Sequence, residues 1–367
     1  MEDDSKTLMQ CLRPLLTSMK LFGMYFIRRS DDSLDRKWCR CNGWMIYAVF
    51  VLVLLWLNAA RMFSVFTSED AFGMVFLNKM ICVIWAIQCA ISQTAFYASS
   101  HLGTLEKVFL KAKLSDDCAL YLRKIVVVYT VVGWSAIVGC SAFFVYGIFF
   151  SDGFVDFMLA PFQVYIVLSD PLAPRIIVCV LILYLVSAHI FSHAMTFLLA
   201  KMVSYQFRRV NGVLESCLDS QDGLVEDSEI ETIRQQHQEV AMSVSRIDDV
   251  LMFANASAFC CQLSCVIIIL YIIVFYRSFV GDPVLISAFV FWMVTMSFGL
   301  TLTAAGGIMI NYYVSKSFAD CCTSKIFTPT RLGSGVLPSV CLSVSLDVCL
   351  FVFLCAIAVL RYRGGGV

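Results

Sequence analysis

Apolar residues run along this chain in long unbroken stretches, not in the short alternations of strands. Runs free of Asp, Glu, Lys and Arg begin near Trp44, Met80, Ile125, Ile176, Val250, Pro283 and Leu332. A bilayer core needs about 20 apolar residues per helix, so the pattern predicts an all-α membrane protein with seven transmembrane helices. Arg61 interrupts the first run, and "MFSVF" continues it. The sixth, from Pro283 to Ser315, is longer than a bilayer requires, so its inner end is expected to project out of the membrane. An eighth stretch, "FMLAPFQVYIVLS" (157–169), is too short and holds Pro161. It reads as an outer loop or a partly embedded cap.

Between spans 4 and 5 the pattern changes period. Ile230, Ile233, His237, Val240, Val244, Ile247 and Leu251 fall at steps of three and four, a heptad seam with one polar member. Ser228 and Glu231 have the spacing of a capping box at its start. This helix is predicted to run straight into span 5, and span 4 to continue inward through "KMVSYQFRRVNGVLESCL". The inner extensions therefore have an apolar seam to bury, and they are expected to form a cytoplasmic anchor bundle.

Composition agrees: 60% of the residues are hydrophobic and only 15% charged, more apolar surface than a soluble domain can hide. The net charge is zero, which gives no sign of nucleic-acid binding. "MEDDSKTLMQ" lacks the n-region and h-region of a secretory signal. With the N-terminus inside, 21 of the 27 basic residues fall on cytoplasmic segments, the bias that sets membrane orientation. The expected layout is a cytoplasmic segment 1–43, helices 1–4 in 44–201, an anchor loop 202–249, helices 5–6 in 250–315, a cytoplasmic segment 316–337, helix 7 in 338–361 and an extracellular tail 362–367. A G-protein-coupled receptor has the opposite orientation. The Asp-Arg-Tyr and Asn-Pro-x-x-Tyr signatures are also missing, and 152–175 has no cysteine.

No P-loop, nucleophile triad or metal-hydrolase motif appears, so no enzyme is expected. The 17 cysteines read as small hydrophobes and cytoplasmic thiols. Cys39-x-Cys41 and Cys321-Cys322 could hold a metal or palmitate, but no histidines complete a zinc spacing. His189 and His193, four apart on span 4, share a face and could bind metal. With no third ligand evident they read as helix–helix hydrogen-bonding groups, and no metal or cofactor is expected. Thr301, Thr303, Gly306 and Gly307 on span 6 allow close helix approach. Asn255-Ala-Ser257 lies at the inner end of span 5 and is expected to be unmodified. In the last span, Asp347, Phe351, Leu354, Ala358 and Arg361 form one stripe.

Seven spans, an inner N-terminus, a long helical loop between spans 4 and 5 and an overlong span 6 resemble the insect gustatory and odorant receptor superfamily. "LRPLLTSMKLFGMYF" (12–26), with Pro14-Leu15-Leu16 and Leu21-Phe22-Gly23, resembles the opening of the gustatory branch. That family's span 7 marker is Thr-Tyr, five hydrophobic residues and Gln-Phe. Here the matching residues are Leu354-Cys355, "AIAVL" and Arg361-Tyr362, which keep the five apolar residues and the final aromatic.

The resemblance implies a ligand-gated cation channel at the plasma membrane, a homo- or heterotetramer with related receptors, with span 7 lining the pore. Asp347 would then form a ring of carboxylates that favours cations, and Arg361 would stand near the outer mouth where the family has Gln. It further implies a small-molecule pocket among spans 2–6 in the outer half, for which the candidates are Trp85, Gln88, Tyr146, Tyr184, Tyr271 and Trp292. A non-conducting receptor or scaffold, or a light-sensing relative, would use the same fold.

Overall fold

A computed structural model describes residues 2–27, 43–63, 66, 73–111, 116–150, 172–219, 227–275 and 283–323. The described residues form eight helices and no strand: α1 (Glu2–Leu21), α2 (Gly43–Phe63), α3 (Met74–Leu102), α4 (Thr104–Lys111), α5 (Asp116–Phe150), α6 (Leu172–Asp219), α7 (Asp227–Phe275) and α8 (Pro283–Thr323). Six of them, α2, α3, α5, α6, α7 and α8, are long and apolar enough to cross a membrane. They correspond to the first six predicted spans. The stripe Asp347, Phe351, Leu354, Ala358 and Arg361 lies outside the described residues.

Two kinds of helix face build the bundle. On α2 the buried positions are Ala48, Val51, Leu55, Asn58, Ala59 and Met62, one helical stripe, while Ile46, Phe50, Val53 and Leu57 are exposed. An apolar residue on an exposed face of a membrane helix meets lipid, not water. Helix α6 is different: it packs against α8, α5, α3, α7, α2 and α1. With neighbours on most sides it buries Ser187, His189, Ser192, His193, Ser204, Gln206 and Asn211, polar groups that lipid contact would leave unsatisfied.

The inner extensions are as long as the pattern predicts. Helices α6, α7 and α8 have 48, 49 and 41 residues, roughly 60–75 Å at 1.5 Å per residue. A hydrocarbon core is only about 30 Å thick. Phe207, Val210 and Leu214 on α6 are buried, as are Ile233, Val240 and Leu251 on α7, and Val244 and Ile247 pack against that core. The polar seam member, His237, sits with its ring centroid 5.6 Å from that of Phe207. Ile230 lies on α7, and its side chain is outside the described set. The carboxylate of Glu231 is held by residues further along its own helix. It accepts from Arg234 Nε at 2.7 Å and from Gln235 Nε2 at 3.1 Å. A charged fork one turn on is a stronger donor than a neutral backbone N–H, and it holds the Glu231 carboxyl at about 2.

The N-terminal segment is not a mere cytoplasmic lead-in. In α1, Leu8, Leu12, Leu15 and Met19 are fully or almost fully buried at steps of four, three and four. The helix packs on α5 and α4. Trp134 Nε1 donates to Ser18 Oγ at 2.9 Å. Beyond α1, Phe22 inserts among Trp134, Tyr184 and Phe191, at centroid distances of 5.4, 6.1 and 5.8 Å. Gly23 has φ +70°, and a Cβ there would lie 3.1 Å from Val51 Cγ2 and 3.3 Å from Ala48 Cα. Both the left-handed backbone and the close approach to α2 call for glycine. The short α4 follows from a second left-handed glycine, Gly103, whose N–H closes α3 on Ser100 O.

Candidate functional site

The site grows from three aromatic side chains on three helices. Trp85 of α3, Phe144 of α5 and Trp292 of α8 form a triangle with each pair of ring centroids 6.0 Å apart. Trp85 stacks on Phe144, and Trp292 meets both rings at steep angles. These are the offset and edge geometries that ring quadrupoles favour. Phe291 stacks on Phe143 beside them at 5.7 Å. Cys140, Val186, His189, Thr295 and Met296 complete the lining of a small cavity. About 10 Å³ is open to a water centre, room for at most one water. The side chains themselves close this aromatic box.

One turn inward from Trp85 on α3, the lining becomes polar. Gln88 Nε2 lies 3.3 Å from His189 Nδ1 and 3.5 Å from His193 Nε2. Gln262 Nε2 of α7 lies 2.6 Å from His193 Nε2. Thr303 Oγ1 of α8 lies 3.2 Å from His193 Nδ1 and donates to Gly299 O at 3.0 Å. The tautomers follow from these partners. His193 Nε2 accepts from the amides, so His193 Nδ1–H donates to Thr303, whose own hydrogen is committed to Gly299 O. His189 Nδ1 accepts from Gln88, so His189 carries its hydrogen on Nε2. Four helices are thus tied through two neutral imidazoles. Interhelical hydrogen bonds of this kind contribute about 0.6 kcal/mol each in membrane bundles.

Two features of this cluster stand out physically. Gln88 Oε1 and Gln262 Oε1 are buried acceptors with no partner among the described residues, and a buried acceptor left unmatched costs about 1–3 kcal/mol. The cluster also depends on one glycine. A Cβ on Gly299 would lie 2.7 Å from Gln262 Nε2 and 3.3 Å from His193 Nε2.

The sequence candidates divide. Trp85, Trp292 and Gln88 converge on the box and its floor. Tyr146 does not: Ile137, Cys140, Phe144 and Ile148 are among the buried positions of α5, and two residues from Phe144 the helix faces the other way. Tyr146 is 52% exposed and stacks on Phe150 at 5.1 Å. Tyr271 is likewise on an outer face, beside Phe275 at 4.6 Å. Tyr184 belongs to another contact. Tyr47 O–H donates to Leu21 O at 2.6 Å, so Tyr184 O–H donates to Tyr47, at 2.9 Å. This relay pins the end of α1 against α2 and α6.

Other candidates have structural partners. Asn255 Oδ1 accepts from Thr196 at 3.2 Å. Gly306 brings α8 against α6, where a Cβ would lie 3.1 Å from Ala200 Cβ. Thr301 is exposed and bonds its own helix. Phe144, Gln262 and Gly299 are site residues that the sequence reading passed over. Gln262 had a signal: an amide inside the apolar run "SAFCCQLSCV" is costly in a membrane and marks a buried contact.

No protein-family model matches the sequence, and a search of the curated proteins found no match. Solved structures do match in shape. The insect olfactory receptor OR5 from Machilis hrabei superposes with a TM-score of 0.62, at 13% identity, over 98% of this chain and 100% of that one. The same receptor in complex with eugenol superposes with a TM-score of 0.66, at the same identity and coverage. At 13% identity the likeness is one of architecture, and this chain has the fold of that insect olfactory receptor.

Proposed function

We propose that the chain is a chemosensory receptor of the gustatory type, acting as a ligand-gated, cation-conducting channel in the plasma membrane. The observation that carries this reading is the aromatic box over a polar floor, built from four helices, in the fold of a receptor solved with eugenol bound. Three aromatic faces and a ring of amide and imidazole groups suit a small aromatic molecule carrying a hydroxyl. The box is closed, so such a ligand binds only by parting Trp85, Phe144 and Trp292. It therefore favours a wider arrangement of α3, α5 and α8 in proportion to its preference for that state. The four-helix hydrogen-bond cluster beneath resists this widening and supplies the closed state's stability.

In this reading four chains, or this chain with related ones, surround a pore lined by the last span. Asp347, Phe351, Leu354, Ala358 and Arg361 face the axis, and the Asp347 carboxylates draw cations. The departure at Arg361, where the resembling family has Gln, supports a second reading: a receptor on this fold that does not conduct.

Whole-cell currents with ion substitution, from cells expressing the chain and an Arg361→Gln variant, separate the two. A cation current in the native chain, lost in a Trp85→Ala/Trp292→Ala variant that still reaches the surface, is the expected result. A current only in Arg361→Gln places Arg361 in the pore and supports the second reading. Silence of both at full surface expression, across a panel of small aromatic alcohols and with related receptors co-expressed, overturns the channel.

A further inference from the structure

Hydrogen bonding in the polar cluster is lopsided. His193 Nε2 has a single lone pair, yet the amides of Gln88 and Gln262 both aim Nε2 at it, from 3.5 and 2.6 Å. His189 Nδ1, the second imidazole lone pair, faces the same Gln88 amide at 3.3 Å. Gln88 Oε1 and Gln262 Oε1, meanwhile, have no partner among the described residues. All four side chains are buried, the two amides completely, so bulk water does not satisfy those oxygens. An amide turned over about its last bond exchanges oxygen for nitrogen in the same space. With both turned, two oxygens and two imidazole nitrogens face one another with no hydrogen between them. Only a cation holds four such acceptors together. The spacing fits a small one. A tetrahedral site with bonds of about 2.0–2.2 Å has edges of about 3.3–3.6 Å, and the Gln88 amide stands 3.3 and 3.5 Å from the two imidazole nitrogens. Gln262, at 2.6 Å, draws back by about 0.7 Å. The tautomers already suit: both ring nitrogens that face the amides carry lone pairs. His193 Nδ1–H is held by Thr303 Oγ1 at 3.2 Å, the kind of outer contact that orients a metal-binding imidazole. Among the described residues no three His, Cys, Asp or Glu side chains gather as a metal site; here amide oxygens take the remaining places. Imidazole nitrogen favours zinc-like cations over calcium and magnesium, which prefer oxygen throughout.

We infer that Gln88, His189, His193 and Gln262 form a binding site for a zinc-class divalent cation, held by two imidazole nitrogens and two amide oxygens from α3, α6 and α7. All four ligands are neutral, so the ion keeps its charge in a dry interior and binds weakly and reversibly. It is a modulator, not a structural ion. It replaces the amide–imidazole hydrogen bonds with bonds to one centre. His189 also lines the aromatic box, so filling the site stiffens the wall that a ligand must part. That consequence rests on the proposed ligand box; the site itself does not, and its test needs no current.

The full chain, in neutral phosphatidylcholine nanodiscs and with accessible thiols blocked by N-ethylmaleimide, is titrated with Co²⁺, whose visible spectrum reports its ligands. The expected result is one bound equivalent with the bands of a tetrahedral nitrogen–oxygen site and without the strong near-ultraviolet band of thiolate ligation. Zn²⁺ displaces it and Mg²⁺ does not. His189→Gln and His193→Gln each weaken binding about tenfold or more, and Thr303→Val weakens it about tenfold by releasing the His193 ring. Gln262→Glu puts a charged oxygen in the same place and tightens binding about tenfold or more, a gain that misfolding cannot produce. His237→Gln, in the anchor bundle, leaves binding unchanged. No bound cobalt, a thiolate spectrum, or equal binding in His193→Gln and the native chain overturns the site. If the histidine variants do not fold, failure of Gln262→Glu to tighten binding does the same.

Discussion

Gly299→Ala should change sign with its surroundings. The added methyl would sit 2.7 Å from Gln262 Nε2, well inside contact distance. The amide is the far end of a flexible side chain, so Gln262 swings away and its 2.6 Å bond to His193 is lost. Alanine is better than glycine inside a helix by about 1 kcal/mol. Against this stand the broken bond and the newly orphaned groups, about 1–3 kcal/mol in a dry interior. The net expectation is a destabilisation of about 1 kcal/mol. In a Gln262→Ala background the clash with the amide is gone. The His193 ring at 3.3 Å must still yield by a few tenths of an ångström, so Gly299→Ala is now neutral or stabilising by up to about 1 kcal/mol. Thermal unfolding in detergent, followed with a thiol-reactive dye at fixed scan rate, reads all four proteins, because Cys82, Cys89 and Cys265 are buried. A shift of the same sign and size in both backgrounds would refute the idea that Gly299 exists to admit Gln262.

Gly23→Ala forces a side chain into a φ of +70° and against the Ala48 backbone; it should cost about 2 kcal/mol or more, seen as a lower unfolding temperature and faster proteolysis at the end of α1. Acidification should loosen the anchor bundle through His237, whose pKa burial holds below its ordinary 6.5. The unfolded chain then binds this proton more readily than the folded one, so stability is complete above about 6.5 and falls as pH drops below it. Unfolding temperatures at pH 7.5 and 5.5 should differ less in His237→Gln than in the native chain; an equal difference would remove His237 from the explanation.

The bundle was legible where one physical demand dominates the sequence. Six runs had to satisfy a bilayer's thickness, and those six are α2, α3, α5, α6, α7 and α8. The seam Ile233–Val240–Val244–Ile247–Leu251 was legible because a long helix leaving the membrane must bury a stripe. Helix α1 was not, since a charged first turn, Pro14 and interspersed polar residues hide the spacing of Leu8, Leu12, Leu15 and Met19. The site was half legible. Intramembrane Trp85, Gln88 and Trp292 are expensive or bulky enough to announce themselves. Which aromatics join them depends on helix rotation, and a uniformly apolar helix such as α5 gives no phase to tell Phe144 from Tyr146. Gly299 is informative only through its neighbour Gln262, which is 37 residues away in sequence.

Synthesis runs against the order in which α1 is covered. It leaves the ribosome well before its principal partner, α5, which ends at Phe150, about 130 residues later. At about 5–20 residues per second the nascent chain carries Leu8, Leu12, Leu15 and Met19 uncovered for roughly ten seconds. An amphipathic helix in that position lies in the headgroup layer of the nearest bilayer. Helix α1 would therefore ride on the inner membrane surface while α2 to α5 are threaded. It then leaves the lipid for the flank of α5, and Phe22 and Gly23 slot against α2 once Tyr184 has arrived to complete the relay. Assembly of this bundle thus ends with a helix that was made before its partners.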